Sequence, residues 1–247
     1  MVSSGDTRAV ASVSGPIEVR LASEQASKAT FEVIVRPLSG IPGTESKALS
    51  ATIRSLLTPS LILTQNPRSL IQLVIQSLSP LKADCFYPPL IASLINASTL
   101  AVLKAGSVPM RAVVCAVSVG RLHLPTTSAP SKIARRPTLV VDPGEDEIGL
   151  LEGGGCFAFM LGAGVLTAST NGQSPQTPGC DAVWSNWYAT SSRFDENEFV
   201  EASKLAKIAV QQVWKTMKAS VGQAPFEQRV NREGMEFDVK EDEKMDI

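Results

Sequence analysis

Between Leu90 and Leu122 the chain reads LIASLINASTLAVLKAGSVPMRAVVCAVSVGRL, and this stretch constrains the fold more than any other. Residues 90–105 are apolar or small. Lys104 is their only ionisable side chain, and no Gly or Pro interrupts them. The run is long enough for a buried helix, and its Ser and Asn content argues against a membrane span. Gly106 is a helix stop, and Pro109 sets the following turn. Ala112–Val119, AVVCAVSV, is apolar at nearly every position and reads as a strand covered on both faces. A buried helix feeding a buried strand predicts an α/β core.

The remaining chain supplies elements around this core. Thr7–Val19 reads as strand, turn, strand, with Gly15-Pro16 as the turn. Residues 29–37, ATFEVIVRP, alternate: Phe31, Val33 and Val35 point one way, and Thr30, Glu32, Ile34 and Arg36 the other. Thr44 is read as capping a helix whose apolar stripe is Leu49, Ile53, Leu56 and Leu57, ended by Pro59. Leu70–Leu78 is a strand, and residues 79–89 a loop closing on two prolines.

After a Pro/Ser/Thr-rich loop at 123–137, with Lys132, Arg135 and Arg136, a short strand covers Thr138–Val141. Gly144–Glu147 reads as an acidic turn and Gly153–Gly155 as a flexible corner before a strand over Cys156–Leu161. Residues 167–179 read as a loop and Ala182–Ala189 as a further strand. Asp195 caps a long helix whose face carries Phe199, Ala202, Leu205, Ala206, Ala209, Val213 and Met217. The charged end, KEDEKMDI, has few apolar anchors and reads as a disordered tail.

Composition excludes several functions. With 23 basic and 24 acidic residues the net charge is −1, so strong nonspecific nucleic-acid binding by the whole surface is not expected. Any RNA contact must be local or shared. The cysteines, Cys85, Cys115, Cys156 and Cys180, form no CxxC pair, and none sits near His123, the only histidine. No metal site is therefore expected, and His123 is assigned a structural or surface role. Gly153-Gly154-Gly155 lacks a following Lys-Ser/Thr and is not a phosphate loop. With no apolar leader, the chain reads as a soluble intracellular protein with reduced thiols.

Several segments together carry a family resemblance. GDTRAVASVSGPIEVRLASE, SKATFEVIVRP, GIPGTESK, NPRSL, NASTLAVLKAGSVPMRAVVC and LVVDP occur in that order. In this series the chain resembles the ribonuclease PH family, and within it the ring subunits of the eukaryotic RNA exosome. The family's opening segment before Gly5 is mostly absent. The resemblance implies an α+β fold of ribonuclease PH type, a single βαβα domain (the ribosomal protein S5 domain 2-like arrangement) with a mixed sheet and packed helices. It would span residues 5–219, with 220–247 as the charged tail.

The resemblance also frames the chemistry. Active members cleave RNA from its 3′ end with inorganic phosphate as nucleophile, and a Gly-Gly-Thr-Arg turn at the start of the core helix supplies donors to that dianion. Cations are close to mandatory there, because unpaired anions at close range repel. Here the Thr and Arg positions fall on Leu90 and Ile91, and no Lys or Arg occurs from Ala83 to Leu103. A second family arginine falls on Thr44. Of the family's carboxylate pair Asp142 keeps the first position, as a vestigial acid; the second falls on Ile148, with Asp146 or Glu147 able to fill in after a small shift.

By resemblance, then, the chain is a non-catalytic ring subunit without cofactor or metal. Its partners would be other ribonuclease PH-like subunits, cap subunits of S1 and KH type, RNA in the central channel and, indirectly, a hydrolytic nuclease. No membrane is involved, and the location is nucleus, nucleolus and cytoplasm. Arg68, Arg111 and Arg54 are the candidate RNA contacts. Two alternatives stand beside it: an active phosphate-dependent exoribonuclease, and an α+β interaction module unrelated to RNA.

Overall fold

The computed structural model describes residues 2–4, 7–79, 88–122, 138–162, 179–189 and 195–222. In chain order the elements are β1 (Val2–Ser4), β2 (Thr7–Glu18), β3 (Thr30–Arg36), α1 (Thr44–Leu57), β4 (Ser69–Ser77) and α2 (Pro88–Ala105). They continue with β5 (Val113–Leu122), β6 (Thr138–Val141), α3 (Glu145–Ile148), β7 (Leu151–Gly162), β8 (Gly179–Ala189) and α4 (Glu196–Gly222). The α+β class holds, with the strands divided between two four-stranded sheets. The first, ordered β1-β2-β4-β3, is mixed: β3 and β4 are parallel and the other pairs antiparallel. The second, ordered β6-β5-β7-β8, is antiparallel throughout.

Helix α2 lies between the sheets, packed on β2 and β4 of one and on β5 and β7 of the other. Its length and composition would suffice to cross a membrane, but 78% of it is buried inside the protein. That burial identifies a core helix, apolar all round because it is covered all round. Pro88 and Pro89 do not close the preceding loop, as the sequence predicts. They open the helix, where a missing N–H breaks no intrahelical bond. Gly106, at φ +63°, ends it in the left-handed conformation that glycine adopts without strain.

Period-two alternation assigns the other core faces. Phe31, Val33 and Val35 of β3, with Ile71, Leu73 and Ile75 of β4, join Leu49, Ile53, Leu56 and Leu57 of α1 and the buried residues of α2 in one cluster. In β5, Val114 and Ala116 belong to that cluster, while Val113, Cys115, Val117 and Val119 belong to a second. The second cluster meets Ala202, Ala206, Val210 and Met217 of α4. β5 is therefore covered on both faces, as its sequence requires. Each fully buried aliphatic side chain contributes about 1.5–3 kcal/mol relative to exposure.

Four local readings are corrected. Gly15-Pro16 is not a turn: β2 runs through it, and its pairing with β4 shifts register between Ser14 and Ile17. Gly15 is required there, because at φ +135° a Cβ would come within 2.6 Å of the Leu70 carbonyl oxygen. Gly153–Gly155 is not a flexible corner but a buried part of β7, paired with β5 and β8. A Cβ on Gly155 would fall on the Asn186 carbonyl, so these glycines allow close strand approach. Gly144–Glu147 opens α3, where the Gly144 N–H donates to the Glu147 carboxylate at 3.0 Å. Thr44 is not the cap of α1: that position is Gly43, without a side-chain bond.

Asp195 does cap α4, accepting the Asn197 N–H at 3.0 Å. The tail beyond Gly222, the 123–137 loop with His123 and its basic residues, Cys85 and the 167–178 loop lie outside the described residues.

Candidate functional site

The βαβα order places the candidate residues at opposite ends of the first sheet. β3 precedes α1 and β4 precedes α2, and the two strands are parallel. Both helices therefore start at the same end. Thr44, the first residue of α1, and Leu90 and Ile91, in the first turn of α2, lie at that end.

Asp142 joins this end through β5. Asn96 of α2 bonds Ala116, and Thr99 bonds Val114, so moving toward the start of α2 moves along β5 toward Ser118. The Asp142 N–H donates to the Ser118 carbonyl at 2.9 Å, and the Ser118 hydroxyl donates to Asp142 Oδ1 at 3.1 Å. Asp142 stands at φ +52°, an uncommon conformation for a residue other than glycine and one in which Asp is enriched. The carboxylate that the sequence marks as vestigial is thus held by defined bonds and is solvent-exposed. Ile148, its would-be companion, lies in α3.

Beside Thr44 and the Asp142 carboxylate, the first turn of α2 itself is apolar. Leu90 and Ile91 are 1% and 3% exposed, and Pro88 and Pro89 are buried with them. None of these side chains donates a hydrogen bond, and the prolines contribute no N–H. Among the described residues no group of three or more His, Cys, Asp or Glu side chains could hold a metal. Cys115 is a small buried hydrophobe: burial first, and Cys180 second, push its thiol up to about 12. Burial also raises the thiols of Cys156 and Cys180. None of the three is poised as a thiolate nucleophile.

The candidate cations collect at the other end. Arg54 is in the last turn of α1, Arg68 precedes β4 and Arg111 precedes β5. The segment after α1 ties two of these regions together. The Arg111 N–H donates to the Ser60 carbonyl, and the Ile62 N–H to the Pro109 carbonyl, both at 2.9 Å. All three side chains are exposed. Arg68, at φ +58°, pairs with Glu24 at 3.4 Å.

The sequence reading misses two polar devices. Asn96 bridges both backbone groups of Ala116: its Nδ2 donates to the carbonyl at 2.8 Å, and its Oδ1 accepts the N–H at 2.8 Å. Thr99 donates to the Val114 carbonyl at 2.7 Å. Their signal is present as polar residues three apart in an otherwise apolar helix. The second device is the ion pair of Arg121 in β5 with Glu198 in α4, at 3.2 Å with each side chain about nine-tenths buried. Burial raises the Glu198 pKa, outweighing the opposing attraction of Arg121.

Comparison with known proteins agrees with this architecture. Residues 1–107 match the family described as the 3′ exoribonuclease family, domain 1. The fold overlays a crystal structure of rice Rrp46 with TM-score 0.64 and 19% identity, covering 88% of this chain and 85% of that one. Fold and matched segment together define the class the chain is similar to: the fold is ribonuclease PH-like, and residues 1–107 match that family's first domain. Within that class it resembles components of the Rrp46 type.

The protein named exosome complex component rrp46 in Schizosaccharomyces pombe is 36% identical over 114 residues, 46% of this chain and 48% of that protein. The human exosome complex component RRP41 is 32% identical over 167 residues, 61% of this chain and 65% of its own length. The chain thus spans about half the length of the first of these relatives and under two thirds of the second.

Proposed function

We propose that the chain is a non-catalytic structural subunit of an RNA exosome ring. In this reading it supports 3′-to-5′ RNA processing and degradation, ribosomal RNA maturation included, by shaping the RNA channel. The observation that carries the proposal is the first turn of α2. Where a phosphorolytic relative needs hydroxyl and guanidinium donors, Pro88, Pro89, Leu90 and Ile91 form a buried apolar surface. A phosphate dianion there would lose its water and gain no donor from these side chains. Loss of such donors costs several kcal/mol of transition-state stabilisation, about 3–4 for one oxyanion donor.

The relatives named as exosome components support the assembly side of this reading. The partners would be other ribonuclease PH-like ring subunits and S1/KH cap subunits, with a hydrolytic nuclease receiving the RNA. The location would be nucleus and nucleolus, with a cytoplasmic pool. Arg68 and Arg111, exposed at one end of the fold, would touch RNA phosphates without reading sequence. In the domain division of this reading, 5–219 is the folded unit and 220–247 the tail.

Two measurements test the proposal. The isolated chain incubated with single-stranded RNA and inorganic phosphate should release no nucleoside diphosphate. Co-expressed ring paralogues should co-purify with it as a closed assembly. Phosphate-dependent diphosphate release from the chain alone would favour the active enzyme instead.

A further inference from the structure

β3 is the edge strand of its sheet among the described residues, and its free side is closed at both ends but open in the middle. The Val35 N–H donates to the Ser50 hydroxyl of α1 at 3.0 Å, so it points away from β4. At the other end, the Ala29 N–H donates to the Leu63 carbonyl at 2.9 Å. By period two, the backbone groups of Phe31 and Val33 also point away from β4. Between the two fastened ends, no hydrogen bond among the described residues engages them, which leaves a pairing edge there.

A groove of about 410 Å³ runs along this edge, lined by Val33, Val35, Pro42, Ala51, Lys47 and Arg54 among others. Its charges are unequal in availability. Glu32 is engaged by the Gln72 amide at 3.0 Å on the sheet. Lys47 and Arg54 lie seven positions apart on one face of α1, and neither side chain has a hydrogen bond or ion pair among the described residues. The adjoining loop presents Leu38 and Ile41 to solvent, Ile41 at 92% exposure.

We propose that this groove binds an extended acidic peptide segment of a partner protein by strand addition to β3. The backbone of Phe31 and Val33 would supply the ladder bonds, and alternate apolar side chains of the peptide would rest on Val33, Val35 and Pro42. Its carboxylates would meet Lys47 and Arg54. Strand addition draws affinity from main-chain bonds and specificity from alternate side chains. An edge left open in the middle also invites unwanted pairing, which flanking Lys and Arg restrict to acidic sequences. A polynucleotide could satisfy the cations but has no backbone amide repeat to continue the ladder of the strand. The proposal concerns the isolated chain and does not rest on the ring reading.

The test uses the full chain and a fluorescein-labelled seven-residue peptide of alternating valine and glutamate. Controls are the same peptide N-methylated at alternate amides, and an oligoadenylate RNA. The expected result is saturable binding by anisotropy, abolished by N-methylation and weakened roughly tenfold by combined Lys47→Glu and Arg54→Glu. Hydrogen exchange at the Phe31 and Val33 amides should slow on binding. The milder pair Lys47→Ala and Arg54→Ala should show a smaller loss in the same direction, which guards against a folding artefact. Equal binding of the N-methylated peptide would overturn strand addition. RNA competing more tightly than the peptide would assign the groove to nucleic acid, and absence of saturable peptide binding would dismiss the site.

Discussion

β5 and β3 each have a side without a full strand partner, and the protein treats them oppositely. β6 covers only residues 119–122 of β5. The rest of that side is sealed from within: Thr99 takes the Val114 carbonyl, Asn96 takes both groups of Ala116, and the Asp142 N–H takes the Ser118 carbonyl. β3 has fastenings at Ala29 and Val35 and, among the described residues, none between them. β5 lies in the core, where an unpaired backbone group costs about 1–3 kcal/mol, so its edge must be closed internally. β3 borders a groove of about 410 Å³ on that side, so its middle need not be closed from within. Burial thus decides which edge is structural and which is available for binding.

The largest effect is expected at Asn96. Asn96→Ala strands two buried backbone groups, and unfolding free energy should fall by about 2–5 kcal/mol in urea titrations. A loss under half a unit on that scale would mean that β5 needs no seal. Thr99→Val keeps shape and removes one donor, so the fall should be about 1–3 kcal/mol. At the open edge, Ser50→Ala frees the Val35 N–H in a part-buried setting. Stability should drop by about 1 kcal/mol or less, while amide exchange at Val35 accelerates toward that of Val33.

The smallest effect is expected for pH. Burial raises the Glu198 pKa above its ordinary value of 4.5, so the folded protein holds that proton more tightly than the unfolded chain. Stability from this group is therefore present at low pH and declines as pH rises from about 4.5 through the raised value. Glu198→Gln should flatten that part of the profile in denaturation midpoints measured across the range. An unchanged slope would show that the Arg121 pair holds Glu198 ionised throughout.

Much of the fold is legible in the chain because periodicity reports burial. The all-apolar run of α2, the doubly covered β5 and the one-sided stripes of α1 and α4 reappear as read. The Gly-containing segments mislead for a common reason. Gly15 and Gly153–Gly155 resemble turns in isolation, and only the neighbouring backbones of β4, β5 and β8 show why no side chain fits there. The candidate site was legible in part. The apolar start of α2 can be read directly, but the separation of Thr44, Leu90, Ile91 and Asp142 from Arg54, Arg68 and Arg111 follows from the parallel run of β3 and β4.

From the sequence come the buried segments and the apolar start of α2, because hydrophobicity and charge are properties of the residues themselves. Which backbone edges stay open depends instead on packing between distant segments. A hydrogen bond between Asn96 and Ala116, or its absence beside Val33, depends on which chain segment arrives there, and no local pattern records that arrival.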